Sequence, residues 1–237
     1  MGRAFEVRKA SMEKTAKQRT KIYSRYGKEL YMEAKNGGAD PNSNLNLKRI
    51  IDKAKKDQVP ADVIKRALDK AKGNIDENYN FIRYEGFGVS GTQFIVDCLT
   101  DNVNRTVSEV RSAFTKTGGK LGVSNSVLFN FKFQSYFEVS DVKEDELLEL
   151  LLINDLNVDE VYEEDGHVYV YADQKEYNNI KTFLTENNIN IIDDDIKWIP
   201  LTYVKLTNED DINKVERLLE MLEESDDVQN VYHNVSK

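Results

Sequence analysis

The chain has 237 residues, of which 40% are hydrophobic and 32% charged, with a formal net charge of -9; that is enough for one large domain or two to three small ones, with little apolar surplus. No run comes near the roughly 18 apolar residues of a membrane span, so no transmembrane helix is expected, and the opening MGRAFEVRKA has no apolar run behind its basic residues and does not read as a secretory signal. The single cysteine, Cys98, excludes an internal disulfide framework, and a cytoplasmic location is expected.

Charge is distributed unevenly. Residues 1–73 hold 19 Lys and Arg against 9 Asp and Glu, a net of +10. The remaining residues hold 14 against 33, a net of -19. A basic N-terminal part on an acidic body points to nucleic acid or another anionic partner.

In chain order, Lys14, Lys17, Lys21, Arg25, Lys28 and Lys35 fall within about 40° of one helical line. Ile22, Tyr26, Leu30 and Ala34 lie opposite them. Arg19 falls on the apolar side, so the regular helix is expected from near Thr20, behind a mobile basic arm. Asn36-Gly37-Gly38 ends that helix. Leu47, Ile50, Ile51 and Ala54 form the apolar stripe of a second helix. A third starts at Pro60, with Val63, Ile64, Ala67, Leu68 and Ala71 inward and Gly73 as a left-handed cap. Three short helices make a bundle.

Beyond Asn74 the pattern turns to strands: 81–84, a glycine-rich loop EGFGVSG, 92–100, a helix over 104–117, and a strand over 127–133. Residues 134–199 then read β-α-β-β-α-β, the ferredoxin-like order, with a hairpin around Glu163-Glu164-Asp165-Gly166. A strand over 201–206, a helix over 209–224 and a strand over 228–232 follow. Neither the 92–133 nor the 201–232 β-α-β piece can bury a core alone, so the two are expected to pair. The expected fold is α+β: an N-terminal three-helix bundle followed by two ferredoxin-like α+β domains, the second inserted in the first. The boundaries are 1–78, 79–133 with 200–237, and 134–199.

The candidate binding residues are Arg3, Arg8, Lys9, Lys14, Lys17, Lys21, Arg25 and Lys28, with Lys53, Lys55, Lys56, Lys65 and Arg66 beside them. Lysine and arginine release counterions from a nucleic-acid backbone, which gives affinity that depends on salt more than on sequence. The alternatives stay open: a solvated helix face, or positive charge that docks on the acidic body. Reversing Lys21, Arg25 and Lys28 to Glu is expected to remove binding and leave the fold intact.

In DNVNRT, residues 101–106, Asn104 or Asp101 reads as a helix cap, and Arg105 stands in the first helical turn against the dipole preference, which makes it a ligand-facing candidate. EGFGVSG has the spacing of a dinucleotide loop, but a strand follows it instead of a helix, so no pyrophosphate site is expected. The acidic clusters at 163–165 and 193–195 lack the spacing of a calcium loop and read as solvated surface. Cys98 reads as core. His167 and His233 belong to no catalytic constellation.

The stretch TQFIVDCLTDNVNRTVSEVRSAFTKTGGKLG resembles the signature of the YebC/PmpR family, as do IRYEGFG and KAKKDQVPADVIKRALDKAKG. The resemblance covers nearly the whole chain. It implies a cytoplasmic protein of three domains, a helical bundle and two mixed α+β domains. It also implies a non-enzymatic, DNA-binding transcriptional regulator, with nucleic acid as partner and no cofactor, metal, membrane or small-molecule substrate. Other members act in translation, so ribosomal RNA on the ribosome, with help to peptide-bond formation at difficult sequences, is the alternative; a protein-interaction module without nucleic acid is a third. Where the family opens on a Gly-His-Ser-Lys-Trp-like start, this chain has Gly2-Arg3-Ala4-Phe5-Glu6.

Overall fold

The structure, a computed structural model, describes residues 3–73 and 77–236, and the side chains of residues 3–17 lie outside what it describes. It is an α+β fold, with N-terminal helices followed by two antiparallel four-stranded sheets. The chain divides into two compact units, residues 1–123 with 207–231, and residues 124–206 with 232–237. Among the described residues no helix is long and apolar enough to cross a membrane.

In the first unit α1 runs Arg3–Gly37, α2 Leu45–Lys56 and α3 Ala61–Lys72. The expected break near Thr20 is absent, and the stretch foreseen as an arm continues α1. The physical reason is that Arg19 and its neighbours Gln18 and Thr20 are exposed. An amphipathic stripe constrains only turns that pack on something. Farther along, Tyr26, Leu30 and Ala34 close a core with Leu47, Ile50, Ile51, Ala54, Val59, Ile64 and Ala67. Asn44 sets the α1–α2 corner. Its Oδ1 accepts from Leu47 N at 3.0 Å as the α2 cap, and its Nδ2 donates to Glu33 O and Gly38 O at 3.2 and 3.0 Å. The Tyr26 hydroxyl donates to Asp57 Oδ2 at 2.5 Å and ties α1 to the end of α2. Gly73 ends α3 with φ -77°, extended and not left-handed as the sequence suggested.

The first sheet contains β1 (Asn80–Phe87), β2 (Gln93–Thr100), β3 (Lys120–Leu121) and β8 (Val228–His233) in the order β3-β1-β2-β8. Helices α4 (Val103–Lys116) and α7 (Glu209–Glu224) belong to the same unit. Buried Phe94 meets Phe114 of α4 edge to face at 5.8 Å. Arg83 on β1 grips Asp97 directly across on β2 with two bonds of 2.6 and 2.8 Å.

The second unit contains β4 (Phe131–Ser140), α5 (Glu144–Ile153), β5 (Glu160–Glu164), β6 (His167–Asp173), α6 (Tyr177–Glu186) and β7 (Asn190–Pro200), with sheet order β5-β6-β4-β7. This is the ferredoxin-like arrangement expected for residues 134–199. The first sheet has the same order by another route. If β2, β3, β1 and β8 are counted as first to fourth strands, both sheets read fourth, first, third, second. In the first sheet the third place is filled by β1, which precedes the first strand in the chain.

Two expected strands change accordingly. Residues 127–133 do not form a strand of the first sheet: a 3-10 turn covers Leu128–Asn130, and β4 begins at Phe131 in the second sheet. Residues 201–206 provide only an isolated bridge, Val204 to Val235. Two-residue β3 and the earlier strand β1 take the two places. Close packing accounts for two of the glycines in and near the glycine-rich loop. Gly86 lies within β1, where an added Cβ would run into the Phe114 ring, and Gly119 sits where a Cβ would come within 2.5 Å of the Phe87 carbonyl oxygen.

Gly86→Ala should therefore overpack the first unit at a cost of about 1–3 kcal/mol, lowering Tm by roughly 5 °C. Calorimetry of the variant checks this; an unchanged Tm would mean that Phe114 moves aside freely.

Candidate nucleic-acid interface

The predicted binding residues fall into three groups. The side chains of Arg3, Arg8, Lys9, Lys14 and Lys17 lie outside the described residues. Lys21, Arg25, Lys28 and Arg105 lie in the first unit, where three of the four are bonded to the acidic part of the chain. Lys53 and Lys56 belong to the outward side of the α2–α3 pair.

Lys21 Nζ donates to Glu223 O at 3.1 Å and to Glu224 O, the last carbonyls of α7. Those carbonyls have no partner within their helix and carry the negative end of its dipole, so a lysine there is doubly favoured. Lys28 Nζ donates to Asp226 O and Asp227 Oδ1, both at 2.9 Å, and to Leu99 O at 3.4 Å. Its side chain is only 13% exposed. Arg25 is half-buried, its guanidinium 5.6 Å from the Tyr26 ring. The stripe on α1 is thus in large part a seam within the first unit. Reversing Lys21 and Lys28 strikes the fold itself, contrary to the expectation from sequence.

Arg105 has the same fate. Its Nη2 donates to Asp101 Oδ1 at 2.8 Å and to Asp227 Oδ2 at 2.7 Å. The position of Arg105 in the first turn of α4, unfavourable toward the dipole, is explained by these two carboxylates. The helix cap is Asn102, whose Oδ1 accepts from Arg105 N at 3.1 Å, and not Asn104 or Asp101.

Both systems meet at Asp227, whose side chain is 4% exposed. Oδ1 takes Lys28; Oδ2 takes Arg105 and the hydroxyls of Thr106 at 2.8 Å and Thr100 at 3.0 Å. Burial by itself raises the Asp227 pKa, but the bonds from Arg105, Lys28 and Thr106 outweigh it and hold the carboxyl at about 2. Sequence reasoning missed Asp227, because nothing local sets it apart in the run EESDD. Thr100 and Thr106, which flank DNVNR, were the nearer signal.

A groove of about 830 Å³ opens beside this cluster, among α1, α4 and the end of α7. Asp101, Glu109, Glu224 and Asp226 line it, so its field opposes phosphate. Outward-facing cations cluster on the α2–α3 pair, while Arg19 and Lys35 of α1 and Arg111 and Lys116 of α4 are exposed elsewhere in the unit. Lys48, Lys55, Lys56, Lys65, Arg66 and Lys72 are exposed, and Lys53 is half-buried. Two of the carboxylates beside them are exposed partners: Asp52 is 3.8 Å from Lys55, and Asp62 pairs with Arg66 at 2.6 Å on an open surface. Exposed pairs of this kind are worth about 0–1 kcal/mol and yield readily to another anion. Cys98 is fully buried, and burial pushes its thiol up to about 12, which leaves it inert. Among the described residues no group of three or more His, Cys, Asp or Glu side chains is placed to hold a metal ion.

The chain matches two family models. One, described as the TACO1/YebC protein N-terminal domain, covers residues 3–74, and the other, TACO1/YebC second and third domain, covers residues 79–235. It is 52% identical to a "Probable transcriptional regulatory protein" of Acholeplasma laidlawii, over 99% of this chain and 98% of that one. A protein of the same description from Alteromonas mediterranea is 51% identical over 99% of this chain and 98% of its own length. A crystal structure of a conserved hypothetical protein from Aquifex aeolicus superposes with a TM-score of 0.79 at 35% identity, over 92% of this chain and 90% of that chain.

Removing the buried carboxylate should leave the Lys28 ammonium without its carboxylate partner and Arg105 with Asp101 alone of its two carboxylates. Asp227→Asn is expected to cost about 3 kcal/mol or more in urea unfolding at neutral pH. The sign with pH follows from the lowered pKa: the contribution of Asp227 is complete above its ordinary value near 4 and is lost as pH falls through about 2. The variant's stability should accordingly fall less between pH 5 and pH 2 than that of the parent chain. Parallel acid profiles would remove Asp227 as the hub.

Proposed function

This chain belongs to the TACO1/YebC family, and we propose that it is a nucleic-acid-binding regulatory protein, a DNA-binding transcriptional regulator. The observation that carries this reading is the cation surplus of the helical part, +10 over residues 1–73, together with the exposure of Lys48, Lys55, Lys56, Lys65 and Lys72 on α2 and α3. Lys21, Lys28 and Arg105 are bonded within the chain and serve to hold α1. The α2–α3 surface, with Lys53 and Lys56 among its candidates, is the part that meets phosphate, helped by the basic residues Arg3, Arg8, Lys9, Lys14 and Lys17 of early α1. The names of the relatives from Acholeplasma and Alteromonas support regulation as the role.

The chemistry is backbone recognition. Lysines outnumber arginines on α2 and α3, and an ammonium is a point charge suited to phosphate, whereas specific guanine contacts favour the arginine fork. Binding of this kind falls steeply with salt as counterions are released. The strongly acidic remainder, -19 overall, repels nucleic acid and restricts contact to the helical part.

Reversal of Lys55, Lys56 and Lys65 to Glu tests the surface without touching the Asp227 cluster. At 50 mM salt the affinity for a labelled 30-base-pair duplex should drop more than tenfold, and the slope of log K against log salt should fall by roughly one per lost contact. Equal affinity and slope would overturn the assignment of this surface. Crosslinking in cells with parallel sequencing of DNA and RNA tests the target: promoter DNA fits the proposal, whereas ribosomal RNA enrichment would make the protein a translation factor.

A further inference from the structure

The second sheet has two unlike faces. One carries Phe137, Val139, Val168, Val170 and Ala172, and packs against α5 through Leu147 and Leu151 and against α6 through Ile180 and Leu184. Strand alternation places the intervening residues on the other face. The register there sets Tyr136 on β4 opposite Tyr171 on β6, Tyr162 on β5 opposite Tyr169 on β6, and Glu160 opposite Tyr171. The tyrosines form one continuous cluster. Tyr162 stacks on Tyr169 at 5.1 Å and 22°, and Tyr136 lies 5.5 Å from Tyr171. Tyr203 is 58% exposed, and its phenol is raised by burial first and then by the charges of Tyr162 and Glu160.

Carboxylates ring these tyrosines. Glu138 is set opposite Tyr169, Asp195 opposite Tyr136, and Asp193 opposite Glu138. Glu160, Glu164 and Asp193 are exposed, and Tyr162 and Tyr169 are partly so. The positive groups on this face include Lys132, paired with Asp159 at 2.9 Å, Lys197 and, when protonated, His167, which is held at 2.6 Å by Glu138. The Lys197 ammonium lies 3.3 Å from the centre of the Tyr136 ring. The chain's own lysine thus uses this platform in the manner of a cation on an aromatic face.

We propose that this tyrosine-bearing face is a docking surface for an arginine- and lysine-rich segment of a partner protein. Charge complementarity selects the occupant. Stacked rings with a negative π face, bordered by carboxylates, attract guanidinium and ammonium groups twice over, and the same carboxylates repel a phosphate backbone. A neutral apolar segment would gain the rings but leave the carboxylates unpaired as they lose water. Partly exposed Tyr162 and Tyr169 take the first cation, while Glu160 and Glu164 at the two ends of β5 fix the path of the segment. The interaction goes beyond nucleic-acid binding and uses residues that have no part in it.

The test uses the full chain and a fluorescein-labelled nona-arginine peptide, followed by anisotropy at about 0.15 M salt. The pair Tyr162→Ala and Tyr169→Ala should weaken binding about tenfold, whereas Tyr162→Phe with Tyr169→Phe, which keeps the ring faces, should stay within about twofold. Glu160→Lys with Glu164→Lys changes exposed side chains and preserves the fold even if the alanine pair does not; it should weaken binding at least as much. Alanine and lysine variants that are folded by circular dichroism yet bind like the parent would overturn the proposal. So would binding of a 12-nucleotide oligouridine that is lost on Tyr162→Ala with Tyr169→Ala, since the face would then be a base-stacking platform.

Discussion

The first unit depends on one buried carboxylate. Asp227 at the start of β8 receives Lys28 from α1, Arg105 from α4, and the hydroxyls of Thr100 and Thr106 from the end of β2 and the first turn of α4. Two cations and two hydroxyls on one carboxylate satisfy the charge that burial would otherwise make costly. The backbone is drawn in as well: Leu99 N donates to Asp227 O at 2.8 Å, and Lys28 reaches the carbonyls of Leu99 and Asp226. Residues separated by some 200 positions in the chain are thereby fixed together. Lys21 repeats the device two turns earlier on α1, at the carbonyl end of α7.

That seam explains why charge read along the sequence was only partly informative. The +10 of residues 1–73 and the stripe of α1 were visible from composition and helical phase. Which lysines turn inward was not, because the partner of Lys28 lies 199 positions away in a run of five acidic or polar residues where Asp227 looks like any other. The unusual place of Arg105 in a first turn was a real signal. It marked a nearby anion, and the anion is in the same chain. Helical phase tells which residues share a side, whereas tertiary packing decides what that side meets.

The fold shows the same division. In residues 134–199 the strands and helices follow one another along the chain in the ferredoxin-like order, which could be read directly. In the first sheet the strand in third place, β1, comes before the first, and the strand in second place is the two residues Lys120–Leu121. No periodicity signal exists over two residues. The longer apolar stretch 127–133 therefore attracted the assignment, although its last residues start β4 of the other sheet. The glycines of EGFGVSG were legible as a constraint, but the constraint is the Phe114 ring at Gly86, Thr92 and Phe94 at Gly88, and a left-handed backbone at Gly91.

The remaining charges then sort by what surrounds them. Lysines that meet α7 and Asp227 are structural, since each has fixed oxygens at bonding distance. On α2 and α3, Lys55 lies 3.8 Å from Asp52 and Arg66 pairs with Asp62 on an open surface, where water competes with both pairs. A phosphate backbone offers such lysines many charges at once and gains entropy from released counterions, which a single aspartate does not. The second sheet reverses the sign: its carboxylates surround stacked tyrosines, one of which already holds the ammonium of Lys197. The surface proposed for a polyanion and the one proposed for a polycation are therefore chemically opposite, and neither draws on the buried cluster that holds the first unit together.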